Sequence, residues 1–208
     1  MRRILFLLGV LLGLAVLQGH PLWGAEKPLQ GQVSGVLDRW TSFRWGQDNL
    51  AWVVHYPEEL AEPWVKLEAQ RRGFGPEETA SYRRSFRQEL QFDRSEAFLL
   101  TVQSFGGEPL RLSPLSKTVV LVDARGRTVA PVRYEKRLDL PLTGLVQGFV
   151  FFPKGAAKPP FHLVVKGLLP GEPTVFRFPA FAAAPGPAVV RATPVPTPSP
   201  SPAPTPAQ

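Results

Sequence analysis

The chain has no cysteine in 208 residues. That excludes disulfide staples, thiol catalysis, cysteine-held metals and lipid attachment through a cysteine behind a signal. Histidine is scarce too, limited to His20, His55 and His162. No H-x-x-H, H-E-x-x-H or aspartate-rich calcium loop occurs. No G-x-S-x-G elbow is present, and Gly106-Gly107 lacks the Lys-Ser or Lys-Thr of a phosphate cradle. Basic residues never run five in a row. These absences name no catalytic, cofactor-binding or metal-ligating residue, and they predict a non-enzymatic protein without a cofactor.

What is present begins with an address. Arg2 and Arg3 precede an unbroken apolar run from Ile4 to Leu17, followed by small residues at Gly19, Gly24 and Ala25. A short basic region, an apolar stretch of this length and a small-residue exit mark residues 1–25 as a secretory signal peptide, cut after Ala25. Trp23 stands at the −3 position, where a small residue is preferred. With the weaker stretch to Trp23 added, the same run also reads as an uncleaved N-terminal anchor. Either way the protein is expected in the periplasm or outside the cell, and a membrane contact only if the signal is retained.

The formal charge is +7. Without Arg2 and Arg3, the 24 basic residues become 22 against 17 acidic ones, leaving +5. Such an excess attracts anionic envelope polymers, or merely keeps the protein soluble. A nucleic-acid partner is out of compartment and weakly signalled. Removing the signal leaves enough chain for one domain with its own core.

Proline occupies every second position from Pro194 to Pro206. Residues 183–208 are therefore expected to be a disordered, polyproline-II-like tail, either a spacer into the envelope or a solvated end. Upstream, residues 33–92 read mainly as helix. Val33, Val36, Leu37, Trp40 and Phe43 recur at helical spacing, while Asn49–Tyr56 is ambiguous between strand and buried helical turn. Residues 57–92 read as a helical hairpin: Pro57-Glu58-Glu59 opens one helix, ending at Arg71-Arg72-Gly73, and Pro76-Glu77-Glu78 opens the next.

Beyond residue 95 the pattern turns to short β runs: Ala97–Phe105, Thr118–Val122, Thr128–Tyr134 as a hairpin return, Leu145–Phe152, Phe161–Lys166 and Thr174–Phe178. Pro131 is expected at an edge or bulge. Strands at this spacing, without helices between them, predict an α+β protein whose residues 95–182 form an antiparallel sandwich. Residues 26–56 remain as an N-terminal Trp-rich segment.

The stretch Val119–Tyr134, with Asp123, Gly126, Val129 and Pro131, and then Phe152-Pro153, resembles uncharacterised exported bacterial proteins. The resemblance implies an immunoglobulin-like β-sandwich preceded by a helical hairpin, and brings no catalytic residue with it. Many members are lipoproteins; this chain lacks the cysteine that such anchoring needs.

Two groups invite a functional reading. The acids Glu58, Glu59, Glu62, Glu68, Glu77 and Glu78 could supply paired carboxylates, but most fall in first helical turns, where they complement the helix dipole. The second group is aromatic: Trp40, Trp45, Trp52 and Trp64 crowd together with Arg44 among them. Tryptophan stacks on sugars or anchors at interfaces, and arginine beside it binds anionic groups. In a domain without disulfides the same residues are expected first of all to knit the helices onto the sandwich. The leading expectation is an exported envelope module that binds a protein or polymer; the alternatives are a carbohydrate- or peptidoglycan-acting protein and a membrane-tethered one.

Overall fold

The computed structural model describes residues 28–169 and 171–179. The signal segment, its cut after Ala25 and the proline-rich tail lie outside these residues. The described part is α+β, with two antiparallel sheets. In chain order the elements are α1 (Leu29–Arg39), β1 (Thr41–Trp45), β2 (Asn49–Tyr56), α2 (Ala61–Arg72), α3 (Pro76–Leu90), β3 (Ser95–Ser104), β4 (Val119–Val122), β5 (Thr128–Val129), β6 (Arg133–Tyr134), β7 (Leu145–Pro153), β8 (Phe161–Val165) and β9 (Thr174–Phe178). One sheet runs β1-β2-β3-β7-β6 and the other β5-β4-β8-β9.

Side chains of both sheets form one apolar cluster. Val53, Phe98, Leu100, Val150 and Phe152 come from the first sheet, and Val119, Leu121, Phe161, Leu163, Phe176 and Phe178 from the second. A second cluster lies on the opposite face of the five-stranded sheet. There Val33 of α1, Ala61 and Val65 of α2 and Phe86 and Leu90 of α3 cover Tyr56, Ala97, Leu99 and Phe151. β3 is thus buried on both faces, and its nearly continuous apolar run AFLLTV, broken only by Thr101, follows from that. Gly148 sits where Leu138 crosses β7, and a Cβ there would meet Leu138 Cδ1 at 3.0 Å.

The helical expectation for residues 33–43 is corrected. α1 ends at Arg39, and Phe43 belongs to β1. The Thr41 hydroxyl donates to the Leu37 carbonyl at 2.7 Å and the Trp40 N–H to Val36 at 3.1 Å, which closes the helix. Residues 41–56 form a β-hairpin and add two strands to the sheet ahead of the helical pair, so the helices interrupt the strand series. The expected Thr128–Tyr134 return is also corrected. Only Thr128 and Val129 pair with β4, and Arg133 and Tyr134 pair with β7 in the other sheet. Pro131 stands between the two, where no ladder requires its missing N–H.

The helical hairpin is present. Pro63 occupies the first turn of α2, where no intrahelical donor is lost. Gly73 caps α2 at φ +67°, a left-handed conformation that a side chain disfavours. Glu78 accepts from the Gly75 N–H at 2.9 Å and starts α3. Gly73→Ala is expected to cost about 1 kcal/mol, read as a lower urea midpoint with an unchanged slope.

Candidate functional site

The carboxylates of the hairpin are structural in placement. Arg83 donates to Glu62 at 2.9 Å and Arg87 to Glu58 at 2.7 Å, tying α3 to α2 and to the turn before it. Glu68 is buried and accepts from Arg71 and Arg72, both at 2.8 Å. Glu59 accepts from the Trp40 indole at 2.7 Å. Among the described residues, no group of three or more His, Asp or Glu is placed to hold a metal ion. No helix among them is long and apolar enough to cross a membrane.

The four tryptophans separate into three places. Trp40 is 8% exposed and packs between the two sheets, stacked on Phe161 at 6.0 Å with His55 edge-on at 5.0 Å. Trp64 stacks on Phe86 at 6.1 Å inside the helical layer and donates to the Tyr82 hydroxyl. Trp45 and Trp52 lie in adjacent register rows on one face of the five-stranded sheet, where Trp45 is 73% exposed. Arg44, between Phe43 and Trp45, faces the other way because strand side chains alternate. Burial and the charge of Arg177 both push its guanidinium pKa down.

Strand register explains what gathers around Trp45 and Trp52. Directly opposed residues of antiparallel strands share a face. One row reads Trp45, Leu50, Gln103, Leu145 across β1, β2, β3 and β7, and the next reads Phe43, Trp52, Thr101, Gln147. The following rows, Thr41-Val54-Leu99-Phe149 and Tyr56-Ala97-Phe151, lie in the part that the helices cover. The first two rows therefore lie beyond the helices on the same face, with Thr101 at their centre fully buried beneath its neighbours. Phe43 is 54% exposed and Leu145 59%. Phe105, 58% exposed, follows β3 at this end, and its N–H donates to the Asp48 carbonyl at 2.8 Å. Of the six large apolar side chains exposed on the described surface, four lie here. Scattered exposed hydrophobes need no explanation, but a cluster marks a surface meant to be covered.

Sequence reasoning picked out Trp45 and Trp52 and missed Phe43, Phe105 and Leu145 as their neighbours. Alternation within Ser42–Trp45 was the available signal for Phe43. Leu145 carries none, because only the β1-β2-β3-β7 order brings it to the same rows. The other opening at this end is an open depression of about 810 Å³ bordered by Asp48, Glu108, Arg111, Lys166 and Glu172. Its charges are of both signs and set it apart from the uncharged rows beside it. No protein-family model, curated protein or solved structure matches the chain.

Proposed function

We propose that the chain is a non-catalytic module of the cell envelope, exported by residues 1–25, that binds an envelope polymer or protein. In this reading the two sheets form an immunoglobulin-like sandwich that carries the helical layer as a rigid support. The binding surface is the uncovered end of the five-stranded sheet. The observation that carries the reading is the concentration of Phe43, Trp45, Phe105 and Leu145 there, exposed beside half-buried Trp52. A polysaccharide-cutting role draws no support from this face, since none of its eight register positions holds an acid.

Sedimentation with insoluble envelope material tests the proposal. The full chain should co-sediment, and Phe43→Ala with Trp45→Ala should lower the bound fraction at least tenfold. Trp45 is 73% exposed and Phe43, 54% exposed, packs on Trp52, so folding stability should fall by about 0.5–1.5 kcal/mol and the variant stays folded under the conditions of the assay. Undiminished binding by the double variant would refute the assignment of the face. Whether the module is free or tethered is read separately by intact mass from the native host. A first residue of Glu26 is the expected result, and Met1 would show a retained anchor.

A further inference from the structure

Resting on that reading, we infer that the uncovered face takes a neutral polysaccharide strand, laid across β1, β2, β3 and β7, and not a protein or a polyanion. Three observations bear on the ligand, and the first and third narrow it. The eight positions of these two rows include no Asp, Glu, Lys, Arg or His. A polyanion would find no countercharge among them, and the nearest arginine on β1, Arg44, points to the opposite face.

The second observation is area. Aromatic side chains offer about 150–250 Å² each. Scaled by the exposures of Phe43, Trp45, Phe105 and Leu145, the apolar surface on offer is on the order of 500 Å². A stable protein interface needs about 800 Å² from each partner. About 56–58% of such an interface is apolar, or roughly 450 Å² of those 800 Å², so the area admits a small protein as well as a chain of sugar rings, and the groups interleaved with the rings decide between them.

The third is the kind of group interleaved with the rings. Gln103 and Gln147 stand in the same rows, each half-buried. A neutral amide offers two donors and a carbonyl acceptor, the complement of sugar hydroxyls that both donate and accept. The rings of Phe43, Trp45 and Trp52 offer flat apolar area for the C–H faces of the same sugars. With strands about 4.8 Å apart, the row from Trp45 to Leu145 crosses three strand spacings, or about 14 Å. Burial of Trp52 against Phe43, with ring centres 6.4 Å apart, holds the platform in shape before a ligand arrives.

Affinity electrophoresis of the full chain tests the inference, through gels containing hydroxyethylcellulose, glucomannan, xylan or soluble glycol chitin, with polygalacturonate as the polyanion. At least one neutral polymer should retard the protein, equally at 0.05 and 0.5 M NaCl. Retardation by polygalacturonate should vanish at the higher salt, since it reflects net charge alone. Trp45→Ala should weaken the neutral-polymer interaction tenfold or more, and Gln103→Ala with Gln147→Ala should weaken it without altering the urea midpoint. Arg84→Ala, on the exposed side of α3, should leave it unchanged. No retardation by any neutral polymer, or retardation indifferent to Trp45→Ala, overturns the inference. If envelope sedimentation still depends on Phe43 and Trp45 in that case, the binding-face reading stands and only the neutral-polysaccharide assignment falls. If sedimentation is also indifferent, both fall.

Discussion

Replacing Phe98 with alanine is expected to cost about 3–5 kcal/mol, at least a fifth of the stability of a domain held at about 5–15 kcal/mol. Phe98 is fully buried on β3. Its ring meets His55 at 4.5 Å, Phe152 at 5.4 Å, Phe161 at 5.8 Å and Phe178 at 6.0 Å. Two of those neighbours lie on the other sheet, so the cavity would open where the sheets meet and where no disulfide resists separation. Urea titration by circular dichroism measures the cost. Phe98→Leu removes less volume and keeps the comparison measurable if the alanine variant does not fold. A loss under 1 kcal/mol for Phe98→Ala would mean that the two sheets do not depend on this contact.

Acidification should produce the second large effect, through the pair behind Phe98. His55 Nε2 lies 3.4 Å from Glu96 Oε2, and its Nδ1 is buried without a partner. Burial pushes the His55 pKa down, and the neighbouring Glu96 carboxylate only partly offsets this. Burial pushes the Glu96 carboxyl up, but the His55 contact, the Gly155 N–H at 2.9 Å and Lys154 outweigh it, and the group ends below the usual carboxylate range. The folded protein therefore holds a neutral imidazole beside a carboxylate.

Both folded-state values lie below the unfolded ones, so the unfolded chain binds more protons as pH falls. Stability is fully present above pH about 6.5 and declines below it by up to about 1.4 kcal/mol per pH unit for His55 alone. Glu96 adds to the decline below pH about 4.5. His55→Leu fills much of the same volume and removes the titrating ring. The variant should show a flat stability between pH 6.5 and 5, where the parent declines, and an equal decline in both proteins would place the sensitivity elsewhere.

Most strands after residue 95 were legible because runs such as TVFRF sit between turn residues, whereas Thr128–Tyr134 read as one strand although it divides between the two sheets around Pro131. The two hairpin helices were equally plain, with Pro-Glu-Glu starts and a glycine stop. The segment from Val33 to Phe43 misled for a physical reason. Val33, Val36 and Leu37 lie on α1, and Trp40 and Phe43 extend the same spacing by coincidence, although Trp40 enters the core from the helix end and Phe43 stands on a strand. Local periodicity cannot register that change of direction, because the helix is stopped by a side-chain hydrogen bond from Thr41 rather than by glycine or proline. The cluster of tryptophans was likewise visible as composition and invisible as geometry. Neighbours in sequence went to the core, the helical layer and the surface, while Leu145 joined Trp45 from 100 positions away through register.

The central claim is that the uncovered end of the five-stranded sheet is the surface that meets the envelope. Hydroxyl-radical footprinting of the full chain, with and without bound envelope material, tests it most directly. Protection confined to Phe43, Trp45, Phe105 and Leu145, with Tyr82, Val164 and Val175 unchanged, is the predicted result. Protection of Tyr82 in the helical layer or of Val164 and Val175 on the four-stranded sheet, with Trp45 still oxidised at its free rate, would contradict it.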